Sequence, residues 1–413
     1  MTCAPIPNIP TRSRASAGAV GLALAVLSMA AAGPAAAHGE AEESLPEEIG
    51  LRLGAAAAVS ALHASKDLPS RRMPGFLLNG SPAEDRRHGQ LEHGLIEAGV
   101  RINPQWGMYL GAGKHGSSAP HFEGAWVQWQ PAPDWRLVAG RQKPALGPVW
   151  SGAGHMDRFA LMPLAKQAAF LGDWIEDGVQ AGWRRPVGSG DLGAELGVWR
   201  GQSWPGGFGG PAAVSAHVQW SQGDWTLDGF ALHAAPRRRG TQITLTGADH
   251  SHGAADCDAA LTQVVCFNGK VLVAGASARW LSHDWPVSAS AAWLWRREWG
   301  ELASRNGSGD HRSDTLGGWI EGAWIFLPRW ELGLRLEHLR ARQRLTGPGA
   351  ALVADELGWA AYRPARRAAV SLGWQPTDAV TLRLEAGTES VGGQRARFAA
   401  LRVLMAVSGI VGP

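Results

Sequence analysis

Polar and apolar residues alternate along most of this chain, and the period of the alternation is two. In 96–102, for example, Ile96, Ala98 and Val100 share one face while Glu97 and Arg101 occupy the other. A β-strand whose two faces meet different surroundings produces this pattern. Sixteen such segments are predicted, at 49–64, 91–102, 105–113, 122–130, 135–143, 176–186, 191–200, 212–221, 225–234, 271–281, 286–297, 314–326, 330–340, 367–375, 379–389 and 397–407.

The connections between these segments alternate between short and long. Pro131 to Asp134 and Pro328-Arg329 are typical of the short ones. The long ones are 65–90, 114–121, 144–175, 201–211, 235–270, 298–313, 341–366 and 390–396. Short periplasmic turns and longer outer loops are the anatomy of outer-membrane barrels. A β-propeller would instead repeat at a fixed period, which this chain does not show.

Tryptophan residues flank the short turns. Trp129 and Trp135 bracket one turn, and Trp280 and Trp285 bracket another. Further tryptophans lie beside the remaining short turns, at Trp183, Trp220, Trp225, Trp330 and Trp374. Amphipathic rings settle at a lipid–water boundary, so one row of them indicates the periplasmic rim of a membrane barrel.

The N-terminus has the features of an export signal. Arg12 and Arg14 precede an apolar stretch at 19–32, and Ala35 to Ala37 form an A-x-A cleavage site. We therefore expect a signal peptide at 1–37, an acidic leader at 38–48 and strands across 49–413. No later stretch reaches the ~20 apolar residues of a membrane helix.

An exported chain that crosses lipid with strands must close on itself, because only closure pairs every backbone group. We therefore predict an all-β fold, a closed antiparallel transmembrane β-barrel of about 16 strands with short periplasmic turns and long outer loops. A soluble β-sandwich would show the same alternation with shorter strands, and it is the alternative.

Composition removes several classes of function. The formal net charge of +3 is too balanced to indicate a nucleic-acid partner. The sequence contains no G-x-S-x-G, no H-E-x-x-H and no glycine-rich phosphate loop before a helix. We therefore expect neither enzymatic activity nor a cofactor.

The inward faces of the predicted strands carry more cations than anions. The predicted pore-lining, anion-binding residues are Arg101, Arg184, Arg279, Arg296, Arg335, Arg383 and Arg402, and Arg136 and Arg367 share those faces. The acids opposite them are Glu97, Glu195, Glu321, Glu331, Glu337 and Glu385. Rings of one charge set ion preference in pores, which predicts a weak anion preference. The alternative is that these groups pair across strands and stiffen the wall.

Loop 144–175 combines charged residues, Asp157, Arg158 and Lys166, with apolar ones such as Phe159 and Phe170. Apolar residues in a solvated loop indicate that it packs on something, so we predict that it folds into the lumen as a constriction. A flap packed on other outer loops is the alternative.

Loop 235–270 contains Cys257 and Cys266, which we expect to form a disulfide in an oxidising exported compartment. Asp249, His250 and His252 are candidate metal ligands in the same loop. Oxidised cysteines cannot bind a metal as thiolates, so too few ligands remain in this loop for us to assign a metal site.

Several segments resemble the phosphate-selective porin O and P family of outer-membrane proteins. Residues 140–144 are similar to its G-Q-F-K-x-P segment, 318–323 to its G-W-Y-x-x-A strand and 330–335 to its W-E-L-x-x-R strand; 177–180 and 370–374 resemble two more. The resemblance implies a sixteen-strand, trimeric channel. Lysine is scarce here, with five residues (Lys66, Lys114, Lys143, Lys166 and Lys270) where the family has a lysine cluster, and Leu404 replaces a polar inward residue, so we expect an irregular last strand.

These features together predict an outer-membrane porin for passive diffusion of small hydrophilic solutes, with a mild anion preference for which phosphate-like ions are candidates. The expected partners are these solutes, outer-membrane lipid and further copies in a homotrimer, with no nucleic acid. A plugged barrel serving as an adhesin or envelope structural protein is one alternative. A metal-related uptake channel using His250 and His252 is the other.

Overall fold

The protein is described from a computed structural model covering residues 45–66, 68, 87–116, 119–170, 172–210, 212–240, 265–304, 306–357 and 362–411. Four predicted features lie outside these residues: the signal peptide, most of the acidic leader, Cys257 and the candidate metal ligands at 249–256.

Sixteen long strands form one closed antiparallel barrel. Their bounds are β1 Gly50–Ala64, β2 Arg87–Arg101, β3 Trp106–Lys114, β4 His121–Ala132, β5 Trp135–Gln142, β6 Glu176–Val187, β7 Gly190–Trp199, β8 Ala213–Gln222, β9 Trp225–Ala234, β11 Cys266–Leu281, β12 Val287–Ser304, β13 Gly307–Leu327, β14 Trp330–Thr346, β15 Tyr362–Thr377, β16 Val380–Val391 and β17 Gln394–Val411. A short strand, β10 (Arg239–Gly240), pairs with the start of β11. Each long strand pairs with its sequence neighbours, and β1 pairs with both β2 and β17, which closes the barrel. The prediction of fold class is confirmed.

In the described part of the chain, three short helices accompany the strands: α1 (Pro148–Ser151), α2 (Leu164–Phe170) and α3 (Ala350–Leu357). Among the described residues, no helix has the length and apolar character needed to cross a membrane.

The two faces of the wall differ as the alternation predicts. On β14, Leu332, Leu334 and Leu336 are exposed on the outer face, while Arg335 and Glu337 are buried on the inner face. Tryptophans are exposed on the outer face beside the short turns, and some stack across strands. The ring centroids are 5.9 Å apart in the Trp106–Trp129 pair and 5.8 Å apart in the Trp330–Trp374 pair. The wall therefore presents an apolar band that ends in an aromatic row at the short-turn end.

Three of the predicted long loops are much shorter in the structure. Strand β12 continues to Ser304, β13 begins at Gly307 and β14 continues to Thr346. Strands β16 and β17 join through Gly392 and Gly393, whose φ angles of 56° and 86° suit a two-residue hairpin turn. Polar residues occupy both faces of these extensions, so the alternation that reveals a strand disappears although the backbone pairing continues.

The last strand is regular rather than irregular. Pairing of β17 with β1 runs without a shift from Leu51↔Val411 to Ala64↔Phe398. Leu404 is buried on the inner face beside Arg402, the position where a polar residue was expected. Backbone pairing to β1 and β16 fixes the register whatever side chain stands at this position.

Candidate functional site

The connection between β5 and β6, residues 143–175, lies against the inner wall, and we call it the inner loop. It contains α1 and α2, and it corresponds to loop 144–175, which we predicted to fold into the lumen. Because its partners are inward-facing side chains of the strands, the loop occupies the barrel interior and is not a flap packed only on other loops.

Apolar residues of the inner loop pack on the wall in two places. Trp150 packs on Phe230 and Trp319, with centroid distances of 5.1 and 4.9 Å, in a large buried cluster that also contains α2. Phe159 and Leu161 belong to a second cluster with residues of β1, β15 and β17. The loop therefore contacts the wall on more than one side of the lumen.

Arg335 is the most heavily engaged of the predicted lumen arginines. Its side chain is fully buried, and Nη1 donates to Asp157 Oδ2 at 3.0 Å while Nε donates to Glu337 Oε1 at 3.1 Å. It also donates to the carbonyl of Leu161, and its guanidinium lies 4.2 Å from the centre of the Phe159 ring. Arg335 thus joins the wall to the inner loop.

Two neighbouring arginines act in the same way. Arg402 donates to Glu92 Oε2 at 2.7 and 2.9 Å and to the backbone carbonyls of His155 and Asp157. Arg367 donates to Glu389 and, at 2.7 Å, to the carbonyl of Met162. Carbonyls of the loop backbone thereby gain charged hydrogen-bond donors inside the barrel.

The acids of the wall bind the inner loop as well. Glu337 accepts from the amide of Leu164 at 2.6 Å, and Glu385 accepts from the amide of Ala160. Arg158 of the loop pairs with Glu321 at 2.9 Å and Glu331 at 3.1 Å. Arg383 also pairs with Glu331, at 2.9 Å.

A second anchor lies in and after α2. Lys166 is buried and pairs with Asp173, and Lys143 lies 3.5 Å from the same carboxylate. Burial raises the pKa of Asp173, but the two ammonium groups outweigh it and hold that pKa below its usual range. Arg296, fully buried on β12, donates to the carbonyl of Ala168 in α2.

The remaining predicted residues lie nearer the short-turn end. The side chain of Arg184 is 64% exposed and 3.8 Å from Asp191; that of Arg136 is 47% exposed and 3.2 Å from Glu195. Arg101 donates to the carbonyl of Pro46 at 2.6 Å. Arg279 lines a 280 Å³ cavity together with Arg158 and Glu321.

Sequence reasoning missed several inward acids. Glu92, Glu298 and Glu389 are buried on the inner face, and Glu92 and Glu389 pair with predicted lumen arginines. Glu92 and Glu389 both lie in predicted segments, but Glu92 faces inward only because the register shifts between Ala58 and Val59. Counting arginines on strand faces therefore overstates the positive charge that is free to meet a solute.

Cys266 is buried at the first position of β11. Its predicted partner, Cys257, lies outside the described residues, so the disulfide stays a prediction.

No family model and none of the curated proteins compared matches the chain. Solved structures do match. A loop-deleted form of OmpT, an outer membrane protein of Vibrio cholerae, aligns with a TM-score of 0.54 at 10% identity, covering 86% of this chain and 99% of that one. An anion-selective porin from Comamonas acidovorans aligns with a TM-score of 0.52 at 11% identity, covering 86% and 99%. Salmonella typhi OmpF, in complex with daunomycin, aligns with a TM-score of 0.52 at 8% identity, covering 86% and 97%. At these identities the likeness concerns the fold: the chain has the fold of outer-membrane porins.

Proposed function

We propose that this protein is an outer-membrane porin through which small hydrophilic solutes diffuse passively. The observation that carries the proposal is a closed barrel with an apolar outer band, a polar inner wall and an inner loop fastened to that wall. Such a barrel places water-facing groups inside and lipid-facing groups outside. Passage requires no covalent step and no cofactor, so we propose no enzymatic activity.

The inner loop would narrow the passage. Among the wall arginines, Arg296, Arg335 and Arg402 contact it directly, and Arg383 supports it through Glu331. All four are between 0% and 6% exposed. Buried and paired groups of this kind set the position of the loop and offer little to a solute. We therefore assign them to the support of the constriction, together with Asp157, Arg158 and Lys166.

The mild anion preference would come from the arginines that remain exposed. Arg136 and Arg184 both lie on inward faces beside the short turns, and neither contacts the inner loop in a described hydrogen bond or ion pair. Cations at a pore mouth raise the local concentration of anions. The segments similar to the phosphate-selective porin O and P family are consistent with this preference, and phosphate is the first solute to test.

The test is conductance and reversal potential in planar bilayers. The wild-type protein should give ohmic steps, with a reversal potential in asymmetric potassium chloride that indicates excess chloride permeability. Replacing both cations, Arg136→Gln with Arg184→Gln, should lower the chloride-to-potassium permeability ratio by roughly twofold or more, since fixed charge sets ion preference.

Arg185→Gln is the matched control. Arg185 neighbours Arg184 in sequence but belongs to the outward-facing set of β6, and it is exposed. Its removal should leave the permeability ratio unchanged. Cation selectivity in the wild-type protein, or an equal effect of Arg185→Gln, would refute the assignment to the rim arginines.

A plugged barrel is the second candidate. The two apolar clusters of the inner loop, on different sides of the lumen, favour it. The same recording separates the candidates, because a sealed lumen gives no ohmic steps in any electrolyte.

We also propose a homotrimer anchored in outer-membrane lipid after removal of residues 1–37. One of the fold neighbours, OmpT of Vibrio cholerae, is described in a trimer form, which supports this oligomeric state. Native mass spectrometry from detergent would give the subunit number directly.

A further inference from the structure

Four histidines and one glutamate converge at the loop end of β2 to β4, beside the pair of Arg402 with Glu92. Glu123 accepts from Nε2 of His93 at 2.9 Å and from Nε2 of His115 at 2.8 Å. His121 Nε2 is 3.6 Å from the same carboxylate. His155 of the inner loop lies with its ring centroid 4.7 Å from that of His93 and 4.8 Å from that of His115.

We propose that His93, His115 and Glu123 bind a divalent transition-metal ion, with Zn²⁺ as the reference ion. One ligand atom from each residue lies within 4.8 Å of the others, and all three residues are buried. Ligands ~2.0–2.2 Å from a tetrahedral zinc lie about 3.3 Å apart. Small shifts of the two imidazoles would therefore accommodate the ion.

The contacts of His115 suit a metal-bound imidazole. Its Nδ1 is 3.0 Å from the carbonyl oxygen of Glu92, while its Nε2 contacts the Glu123 carboxylate. The His93 ring stacks on the His115 ring with centroids 4.5 Å apart, and its Nε2 contacts the same carboxylate. A metal at Nε2 leaves a neutral ring whose Nδ1–H donates to a carbonyl, the usual outer-shell arrangement of a metal-bound histidine.

The backbone is shaped around this cluster. The register between β3 and β4 shifts between Gly111 and Ala112, so Glu123 is an extra, bulged residue that faces inward together with His121. Bulges commonly re-aim side chains next to functional sites. Gly113 is also required, because a Cβ there would lie 1.9 Å from Glu123 Oε1.

Two imidazole donors beside one carboxylate suit zinc, copper or nickel better than magnesium or calcium, which prefer oxygen ligands. His121, whose Nε2 is 3.6 Å from the Glu123 carboxylate, is the neighbouring imidazole that could supply a fourth ligand. His155 would lie beside the ion, and Arg402 holds the carbonyl of His155. An ion here would therefore connect the wall to the inner loop at the point where Arg402 and Glu92 already join them.

The experiment uses the full-length protein in detergent without a histidine tag, stripped with EDTA and titrated with ZnCl₂ against a chromophoric chelator. Wild type should bind zinc. His115→Ala should weaken binding roughly 100-fold or more, because loss of an outer-shell partner alone costs about 10–100-fold. His311→Ala is the control, since His311 forms a buried pair with Glu298 at 3.0 Å elsewhere in the barrel. It should change the dissociation constant by less than about twofold, the result expected when no ligand is lost.

Two further measurements locate the bound zinc at this cluster. The double variant His250→Ala, His252→Ala removes the candidate metal ligands of loop 235–270. It should bind zinc as wild type does, and loss of binding in it would overturn the proposal. In that background, bound Cu²⁺ should show nitrogen hyperfine splitting from coordinated imidazole, a result that does not depend on whether His115→Ala folds. Absence of zinc binding by wild type, unchanged binding by a folded His115→Ala, or a copper spectrum without imidazole nitrogen would each overturn it.

Discussion

A buried arginine inside the barrel is held by many partners at once, and Arg335 shows what its loss would do. Arg335→Gln removes the pairs with Asp157 and Glu337, and Glu337 keeps only its longer, 3.4 Å pair with Arg367. Breaking a buried pair from one side costs about 3–5 kcal/mol. We expect a fall of this size in the free energy of unfolding, measured by urea titration in lipid.

Arg184→Gln is the comparison for that substitution at the same scale. Its partner Asp191 is 3.8 Å away and both side chains are largely in water. Exposed pairs contribute roughly 0–1 kcal/mol. Equal losses in the two variants would contradict the distinction between supporting and solute-facing arginines.

At the scale of elements, the inner loop depends on the anchor around α2, and its contribution should vary with pH. Because the pKa of Asp173 is lower in the folded protein, its contribution to stability is present above the unfolded pKa of about 3.9. It is lost as pH falls toward the folded pKa. The difference in unfolding free energy between wild type and Asp173→Asn should therefore be constant from about pH 5 to 7 and shrink below about pH 4. A difference that grows on acidification would show that the carboxylate is not paired.

At the scale of the whole molecule, the free-energy cost of a charge on the outer surface should depend on its depth in the membrane. Leu334 is exposed in the middle of the apolar band, whereas Val187 is exposed beside a short turn. A lysine costs about 2–4 kcal/mol at the bilayer midplane and about 0–1 kcal/mol near the interface. Leu334→Lys should thus destabilise the folded barrel in lipid by several times more than Val187→Lys. Equal effects would mean that the outer face does not contact hydrocarbon.

Features with a short sequence range were predictable. The alternation around Leu334 and Glu337, the turn at Pro328-Arg329 and the position of Trp330 follow from a few neighbouring residues, and the structure confirms them. The ends of β12, β13 and β14 were not predictable, because polar residues on both faces of a strand remove the period-two signal.

The candidate site was only partly predictable. Alternation placed Arg335 and Arg402 on the inner face, and the apolar content of 144–175 predicted its packing. Their partners could not be found in this way, because Glu92 is 310 residues from Arg402 and faces inward through a register shift. The bulge at Glu123 likewise turns that side chain inward against the expected alternation. The spacing of residues in the sequence therefore gave no indication that Glu123 meets His93 and His115.

The sequence by itself determined the strands, the turns, the closure of the sheet and the aromatic row, since each depends on local periodicity and on the need to pair backbone groups away from water. Only the tertiary structure decided which inward charges are neutralised, where the inner loop rests and which histidines meet. Those outcomes depend on contacts between residues far apart in the chain, and a single extra residue in a strand changes which side chains share the interior.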